Sequence, residues 1–438
     1  MKKIFIIVLF LLLMYNKTTF GKSNSNVNIS NKINEKDIDS EIKNNKEIKK
    51  IIVKTGLEVL KEGNFKILEN KKILLLTNHT GVDNNMISTI DILYKAKNVS
   101  LVGLLAPEHG IRGNIYAGIN VDNQIDKKTN LPVYSLYQNG NIDDIFNNID
   151  AIVYDIQDIG CRSYTYISSM GYAMELASKY DKEFIVLDRP NPLGGNKVEG
   201  CLPNGVYHQY VCRYKIPYIY GLTCGELAML LNNENMLIDR VKCKLHVVKM
   251  EGWHRNMLYK DTNLTFVMTS PHIPDQFTAI FYPITGFLGN WKKINHGVGY
   301  TTPFKLFCSD FINTEDLLDE LNKQHIEGFV FRPIYIKPFY GNYKDKNIQG
   351  VQIYINDYQK AELTHLHFKL IETIKKLYPD INVLPTDDKD LEMLSNIYGD
   401  KKVIDLFTKN YKWSDVKEYW NKDVKYFKDI SKKYYLYD

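Results

Sequence analysis

The stretch LVGLLAPEHGIRG (101–113) sets an apolar run against an abrupt polar turn, and its reading decides the fold. Residues 101–106 do not alternate; all are apolar or glycine. A strand with one wet face alternates, whereas a continuous run closed by Pro and Gly reads as a strand buried on both faces. Three more runs repeat the pattern: KKILLLT (71–77) closed by NHTG, AIVYDI (151–156) closed by QDIGCR, and EFIVLD (183–188) closed by RPNPLGG. Residues 87–96 and 166–180 carry apolar residues at helical spacing between them. CGELAMLLNNEN (224–235) reads as a further helix and KCKLHVVKM (242–250) as a further strand. This alternation predicts an α/β fold over 51–260, a doubly wound, mostly parallel sheet with helices on both faces. The style then changes: 264–310 is rich in Pro, Gly and aromatics, QGVQIYIN (349–356) reads as a strand, and 361–377 reads as a helix. Residues 261–438 are therefore expected to form a second, smaller α+β domain.

A chain of 438 residues exceeds one ordinary core, which agrees with two domains. Its net charge of +5 is spread over many lysines without a concentrated basic patch, so no nucleic-acid partner is expected. MKKIFIIVLFLLLMYNKTTFG opens with two lysines, follows with an apolar run over 4–14, and leaves through polar residues. That run falls short of the ~18–20 residues that cross a bilayer, so 1–20 reads as a secretory signal peptide or an uncleaved anchor. The expected location is periplasmic or extracellular, with membrane contact only through such an anchor. Residues 21–50 lack core-forming side chains and read as a disordered spacer. Cys161, Cys201, Cys212, Cys224, Cys243 and Cys308 match no zinc spacing and are expected to be buried thiols.

The polar motifs all follow the carboxyl ends of predicted parallel strands, where open α/β sheets bind their ligands. TNHTG (77–81), PEHGIRG (107–113), YDIQDIGCRSYTY (154–166) and LDRPNPLGG (187–195) should therefore meet at one crevice. They offer the carboxylates Glu108, Asp155, Asp158 and Asp188. Arg112, Arg162 and Arg189 are suited to forking an anion. Asn78, His79, His109, Tyr164 and Asn191 can read hydroxyls. Carboxylates beside hydroxyl-reading groups suit glycoside hydrolysis, and three arginines suggest an anionic ligand.

Blander roles exist for each. Glu108 could cap a helix, the histidines could be structural, Arg162 could pair with Asp158 to pin a loop, and the Pro and Gly of LDRPNPLGG could serve turn geometry alone. Convergence of four motifs favours the site. No G-x-G-x-x-G follows the first strand and no P-loop, H-E-x-x-H or G-x-S-x-G is present, so no cofactor is expected. His79, Glu108 and His109 would be the ligands of a metal-dependent hydrolase, but their spacing is unspecific.

Together these stretches resemble the NamZ-type exo-β-N-acetylmuramidases. The likeness rests on LLLTNHTGVD (74–83), LLAPEHGIRG (104–113), YDIQDIGCRSYTYI (154–167), VLDRPNPLGGNKVEG (186–200), YGLTCGELAMLLN (220–232) and MEGWHR (250–255). TSPHIPD (269–275), TTPF (301–304) and KKYYLYD (432–438) carry it into the second domain. The resemblance implies a Rossmann-like domain plus a smaller one, and a secreted glycosidase of cell-wall recycling that removes N-acetylmuramic acid from the non-reducing end of peptidoglycan fragments. It implies Glu108 as the acid/base. The sugar's lactyl carboxylate would meet an arginine, its 2-acetamido group could act as internal nucleophile, and Asp158 or Asp155 would be the second carboxylate. The chain departs from the family in NWKKINHGVGYTTPF (290–304): Asn290, His296 and Val298 stand where many members carry acidic and Arg residues. A non-catalytic sugar- or muropeptide-binding protein is the alternative that this departure raises.

Overall fold

The chain builds a seven-stranded sheet in the order β3-β4-β2-β1-β5-β6-β7, from Lys72–Thr77 (β1), Ser100–Ala106 (β2), Gln124–Ile125 (β3), Pro132–Ser135 (β4), Ala151–Asp155 (β5), Glu183–Leu187 (β6) and Lys244–Val248 (β7). Every neighbouring pair is parallel except β3–β4. The structure is a computed structural model and describes residues 52–113, 123–136, 143–205, 210–289 and 291–438. The expected leader and spacer, and Asn290, lie outside them.

Apart from β3, the strand order is that of a Rossmann sheet, with the order reversing between β1 and β5. β1 shows why the runs are continuous. Ile73 and Leu75 pack into one core with Leu57, Ile90 and Leu93, while Leu74 and Leu76 pack into another with Tyr154, Ile167 and Met170. Both faces of the strand are dry, so no polar residue is tolerated until its carboxyl end. The covering helices are Gly56–Glu62 (α1), Thr89–Lys95 (α2), Asp143–Asn147 (α3), Tyr166–Lys179 (α4) and Cys224–Asn233 (α5). α5 starts with a capping box, in which the Thr223 hydroxyl accepts from the Glu226 amide and the Glu226 carboxylate accepts from the Thr223 amide.

The C-terminal half holds Gln276–Thr285 (α6), Thr314–Lys323 (α7) and the antiparallel strands Leu306–Ser309 (β8), Phe329–Ile336 (β9) and Ile348–Ile355 (β10) in the order β8-β10-β9. Leu363–Leu377 (α8) follows, then Asp388–Tyr398 (α9), Lys401–Phe407 (α10), Trp413–Asn421 (α11) and Val424–Ser431 (α12). Trp420 is fully buried among Phe368, Tyr398 and Tyr218, so the helices share their core with the large-sheet half. The tail returns to that half as well: the Tyr437 hydroxyl donates to Asp188 at 2.6 Å and the Arg255 amide to the Asp438 carbonyl at 2.8 Å. The α/β class, the mostly parallel sheet and the smaller second sheet are as the sequence predicts. All six cysteines are buried and unpaired. No helix among the described residues is long and apolar enough to cross a membrane.

Candidate active site

Each of the four polar motifs begins where a parallel strand ends. Thr77 and Asp155 face each other across the last β1–β5 register pair, and the Thr77 hydroxyl donates to the Asp155 carbonyl at 2.7 Å. After β2 the chain turns sharply through His109 and Gly110, both left-handed at φ +69° and +74°. Histidine holds such a conformation at a cost of about 1–3 kcal/mol, which the surrounding packing must sustain. Gly113, also left-handed at φ +71°, lies against His79; a Cβ there would sit 2.1 Å from the imidazole Nδ1. The TNHTG and PEHGIRG loops thus touch where only glycine fits.

Glu108 follows Pro107 at the mouth of β2 and is half-buried. Its Oε2 accepts a hydrogen bond from the hydroxyl of Thr165, the residue preceding α4. The third motif therefore holds the carboxyl of the second. The fourth reaches in through Arg189, which forks the Asp155 carboxylate, with Nη2 at 2.9 Å from Oδ2. It also reaches in through Asn191, which fills the space a side chain would need at Gly160. All four loops interlock.

Much of the predicted ligand set is committed to this architecture. Asp155 is fully buried, accepting from Arg189 and from the Thr89 hydroxyl. Arg162 is 1% exposed; it donates to the Cys201, Ile216 and Ile397 carbonyls at 3.0, 2.7 and 3.0 Å. It pins loops, as one bland reading had it, but through carbonyls and without Asp158. Asp188 is fully buried and accepts from the Arg189 and Gly225 amides and the Thr223 and Tyr437 hydroxyls. Asn191 spends its amide on Leu193 and Leu222, stabilising the PNPLGG turn. The Tyr164 hydroxyl donates to Thr269 at 2.8 Å.

What remains is a smaller group. Asn78 is 2% exposed; its Oδ1 accepts from the Thr80 amide and hydroxyl, while its Nδ2 is buried with no hydrogen-bond partner. His79 Nε2 lies 2.6 Å from the Met268 carbonyl. A carbonyl only accepts, so Nε2 carries the proton and Nδ1 presents a lone pair, buried and unpartnered. Burial holds the His79 pKa below its usual value, with the Met268 bond opposing and His109 reinforcing. Arg112 has a guanidinium 42% exposed and pairs with Asp126 at 2.6 Å. It is the one arginine of the three with substantial exposure. Among the described residues no group of three His, Cys, Asp or Glu side chains is arranged to hold a metal.

Asp158 differs from the other two buried aspartates. Its Oδ2 accepts from the Gly160 amide at 2.7 Å and from the Tyr220 hydroxyl, while its Oδ1 is buried without a partner. Burial is the main cause that pushes its pKa up to about 6, against those hydrogen bonds. Between about pH 4 and 6 the folded chain holds a proton that the unfolded chain has released, so stability falls as pH rises through that window. Asp158→Asn keeps an acceptor for Gly160 and Tyr220 and removes the buried charge. Chemical denaturation should find it more stable than the parent above pH 6, by about 1–3 kcal/mol, and equal to it near pH 4. Asp188, also pushed up to about 6 by burial, leaves part of the slope in both proteins.

Residues from TSPHIPD and its surroundings complete the site. Tyr166 donates to the Thr269 carbonyl at 2.6 Å, and Tyr282 packs edge-on against Tyr164. His272 lies within electrostatic reach of His109, and His296 of His272. His296 is 7% exposed, and burial pushes its pKa down to about 3, so the divergent segment contributes a neutral imidazole. The sequence of TSPHIPD names no partner for it, because an irregular Pro-rich loop has no periodicity to place it. Arg255 carries no such signal either; its Nη1 donates to both oxygens of the fully buried Glu226 at 2.7 and 2.8 Å, and its guanidinium lies over the Tyr435 ring. A cleft of about 890 Å³ with Lys197, Tyr358, Trp413 and Lys428 in its walls meets the four motifs only around Leu193 and Gly194, away from Glu108.

Comparison with known proteins agrees along the chain. The model of the N-terminal part of exo-beta-N-acetylmuramidase NamZ matches residues 73–277 and that of its C-terminal part matches 280–437. The peptidoglycan beta-N-acetylmuramidase NamZ of Bacillus subtilis (strain 168) is 40% identical over 349 residues, which is 79% of this chain and 83% of the relative. A crystal structure of a DUF1343 family protein from Bacteroides fragilis NCTC 9343 superposes with a TM-score of 0.84 at 49% identity, covering 89% of this chain and all of that one. A second DUF1343 protein of that organism gives a TM-score of 0.71 at 26% identity, covering 88% and 99%.

Proposed function

The chain belongs to the exo-beta-N-acetylmuramidase NamZ family, and on that premise we propose that it is an exported glycoside hydrolase releasing N-acetylmuramic acid from the non-reducing end of peptidoglycan fragments. The observation that carries the chemical part is Glu108, seated at the carboxyl end of β2 beside the point where strand order reverses, with its carboxyl held by Thr165. A glycosidic oxygen is a poor leaving group until it is protonated, and a positioned carboxylic acid supplies that proton. Glu108 gives the proton to the leaving oxygen and takes one back from the incoming water. The 2-acetamido oxygen of the substrate attacks the anomeric carbon as the glycosidic bond breaks, and the incoming water then displaces that oxygen from the carbon, so no second protein nucleophile is required. Asp158 is 4% exposed and accepts from the Tyr220 hydroxyl, which makes it a positioning residue that holds Tyr220. Asn78 Nδ2 and His79 Nδ1 are buried like Asp158, so these side chains shape the floor of the site rather than face the substrate.

Arg112 is the arginine for the lactyl carboxylate, because Arg162 and Arg189 are spent on carbonyls and on Asp155. Its partner Asp126 is buried but keeps the Thr129 amide and hydroxyl as donors when Arg112 is removed. Arg112→Met should leave the melting temperature nearly unchanged. It should cut the preference for a β-N-acetylmuramide over the matching β-N-acetylglucosaminide about ten- to a hundred-fold, since a charge-assisted hydrogen bond is worth about 1.5–3 kcal/mol. Paired kcat/KM measurements test this, and an unchanged preference would remove Arg112 from the site. Export rests on the two N-terminal lysines and the apolar run over 4–14, and fits a substrate outside the cytoplasm.

A further inference from the structure

Strand β9 of the smaller sheet and the loop that joins it to β10 carry a row of exposed rings that the reaction at Glu108 does not use. Tyr335 is 65% exposed, Phe339 61% and Tyr340 49%. Single exposed aromatics are ordinary, but a cluster marks a binding surface. Tyr335 and Phe339 line a cleft of about 630 Å³ together with Tyr300, Lys337, Asn347 and Gln349. Phe339 stacks on Tyr300 with ring centroids 5.5 Å apart and planes 21° apart.

The rings sit on a firmly held loop. The Phe339 amide donates to the Gly299 carbonyl at 2.7 Å, Asn342 Nδ2 to the Trp291 carbonyl at 3.0 Å, and Asn295 Nδ2 to the Asn342 carbonyl at 3.0 Å. A Cβ at Gly299 would lie 2.0 Å from the Tyr340 carbonyl oxygen, so the two backbones are in direct contact. A surface ordered in advance loses little entropy on binding. The loop that carries Phe339 also reaches toward the candidate active site: Tyr340, its next residue, stacks on His272 at 6.1 Å and 20°, and His272 lies within electrostatic reach of His109, the neighbour of Glu108.

Aromatic faces flanked by two amides and a lysine match a saccharide, whose rings offer C–H faces, hydroxyls and, in a muramic residue, a carboxylate. An exo-acting enzyme holds one sugar on the non-reducing side of the scissile bond, so every further sugar lies on the leaving-group side. We infer that the cleft between Tyr300, Tyr335 and Phe339 is a leaving-group-side saccharide subsite, joined to the Glu108 loops through Tyr340 and His272. This inference rests on the function proposed above.

The test uses a glycan tetrasaccharide that begins with N-acetylmuramic acid and the β-fluoride of N-acetylmuramic acid, which has no leaving-group sugar. Phe339→Ala and Tyr335→Ala should each raise KM for the tetrasaccharide about ten-fold, the scale of losing one aromatic contact. Their kcat/KM for the fluoride should stay within about two-fold of the parent, and Phe339→Tyr should restore tetrasaccharide KM. Calorimetric binding of the tetrasaccharide to the Glu108→Gln protein, with and without Phe339→Ala, reads the subsite independently of turnover. A parent that binds but does not cleave, and binds less tightly without the Phe339 ring, would overturn Glu108's role and keep the subsite. Equal binding with and without the ring, or equal losses on both substrates, overturns the subsite.

Discussion

Glu108→Gln yields a folded protein whose release of N-acetylmuramic acid is at least about 10³-fold slower than the parent's, within the 10²–10⁴ span of a positioned general acid plus its return as base. The substitution is close to isosteric. The Thr165 hydroxyl that donates to Glu108 Oε2 still finds an acceptor in the amide oxygen, so the turn through His109 and Gly110 keeps its geometry. Circular dichroism and melting temperature should be unchanged, which separates loss of chemistry from loss of fold. Near-normal turnover would remove Glu108 from the acid/base role. Thr165→Val tests the support: it removes the hydroxyl that holds Oε2 and should lower kcat about ten-fold, with a smaller effect on KM.

Asp155→Ala should cost about 3–5 kcal/mol of stability, because it leaves the Arg189 guanidinium buried without its counter-charge. Asp155 is fully buried and Arg189 5% exposed, so water cannot replace the lost partner. The loss also reaches the Thr89 hydroxyl and thus the start of α2. Equilibrium urea denaturation reads the effect. Removing both charges, as Asp155→Leu with Arg189→Met, should recover most of the stability, since replacing a buried ion pair by apolar groups of similar volume is often near neutral. A single Asp155→Ala protein as stable as the parent but unable to bind substrate would instead make this pair part of the binding surface.

The contrast between these two positions shows what was legible in the sequence. The continuous apolar runs reported strands dry on both faces, and β1 with its two separate cores bears that out. The motif positions reported which loops meet, because a parallel sheet gathers the carboxyl ends of its strands at one edge. Composition could not report which of the gathered side chains pair with each other. Arg112, Arg162 and Arg189 look equivalent in sequence, yet one is half-exposed and two are spent on internal partners. Likewise Asp155, Asp158 and Asp188 differ in the donors around each carboxyl, the Arg189 guanidinium at Asp155 and, at Asp188, a hydroxyl as distant in sequence as Tyr437. The short strands β3 and β4 are illegible for a simpler reason: two residues at the sheet edge and four beside them carry too little pattern. The contributions of Thr269, His272 and His296 depend on an irregular loop folding back beside the first half, which no periodicity encodes.

The central claim is that this chain hydrolyses a muramide, with Glu108 as acid/base and an arginine reading the lactyl group. A timed assay of the purified protein on a chromogenic β-N-acetylmuramide, beside the matching β-N-acetylglucosaminide, tests it most directly. Release from the muramide alone, abolished by Glu108→Gln, is the predicted result; release from neither sugar, or from both at equal rates, would contradict it.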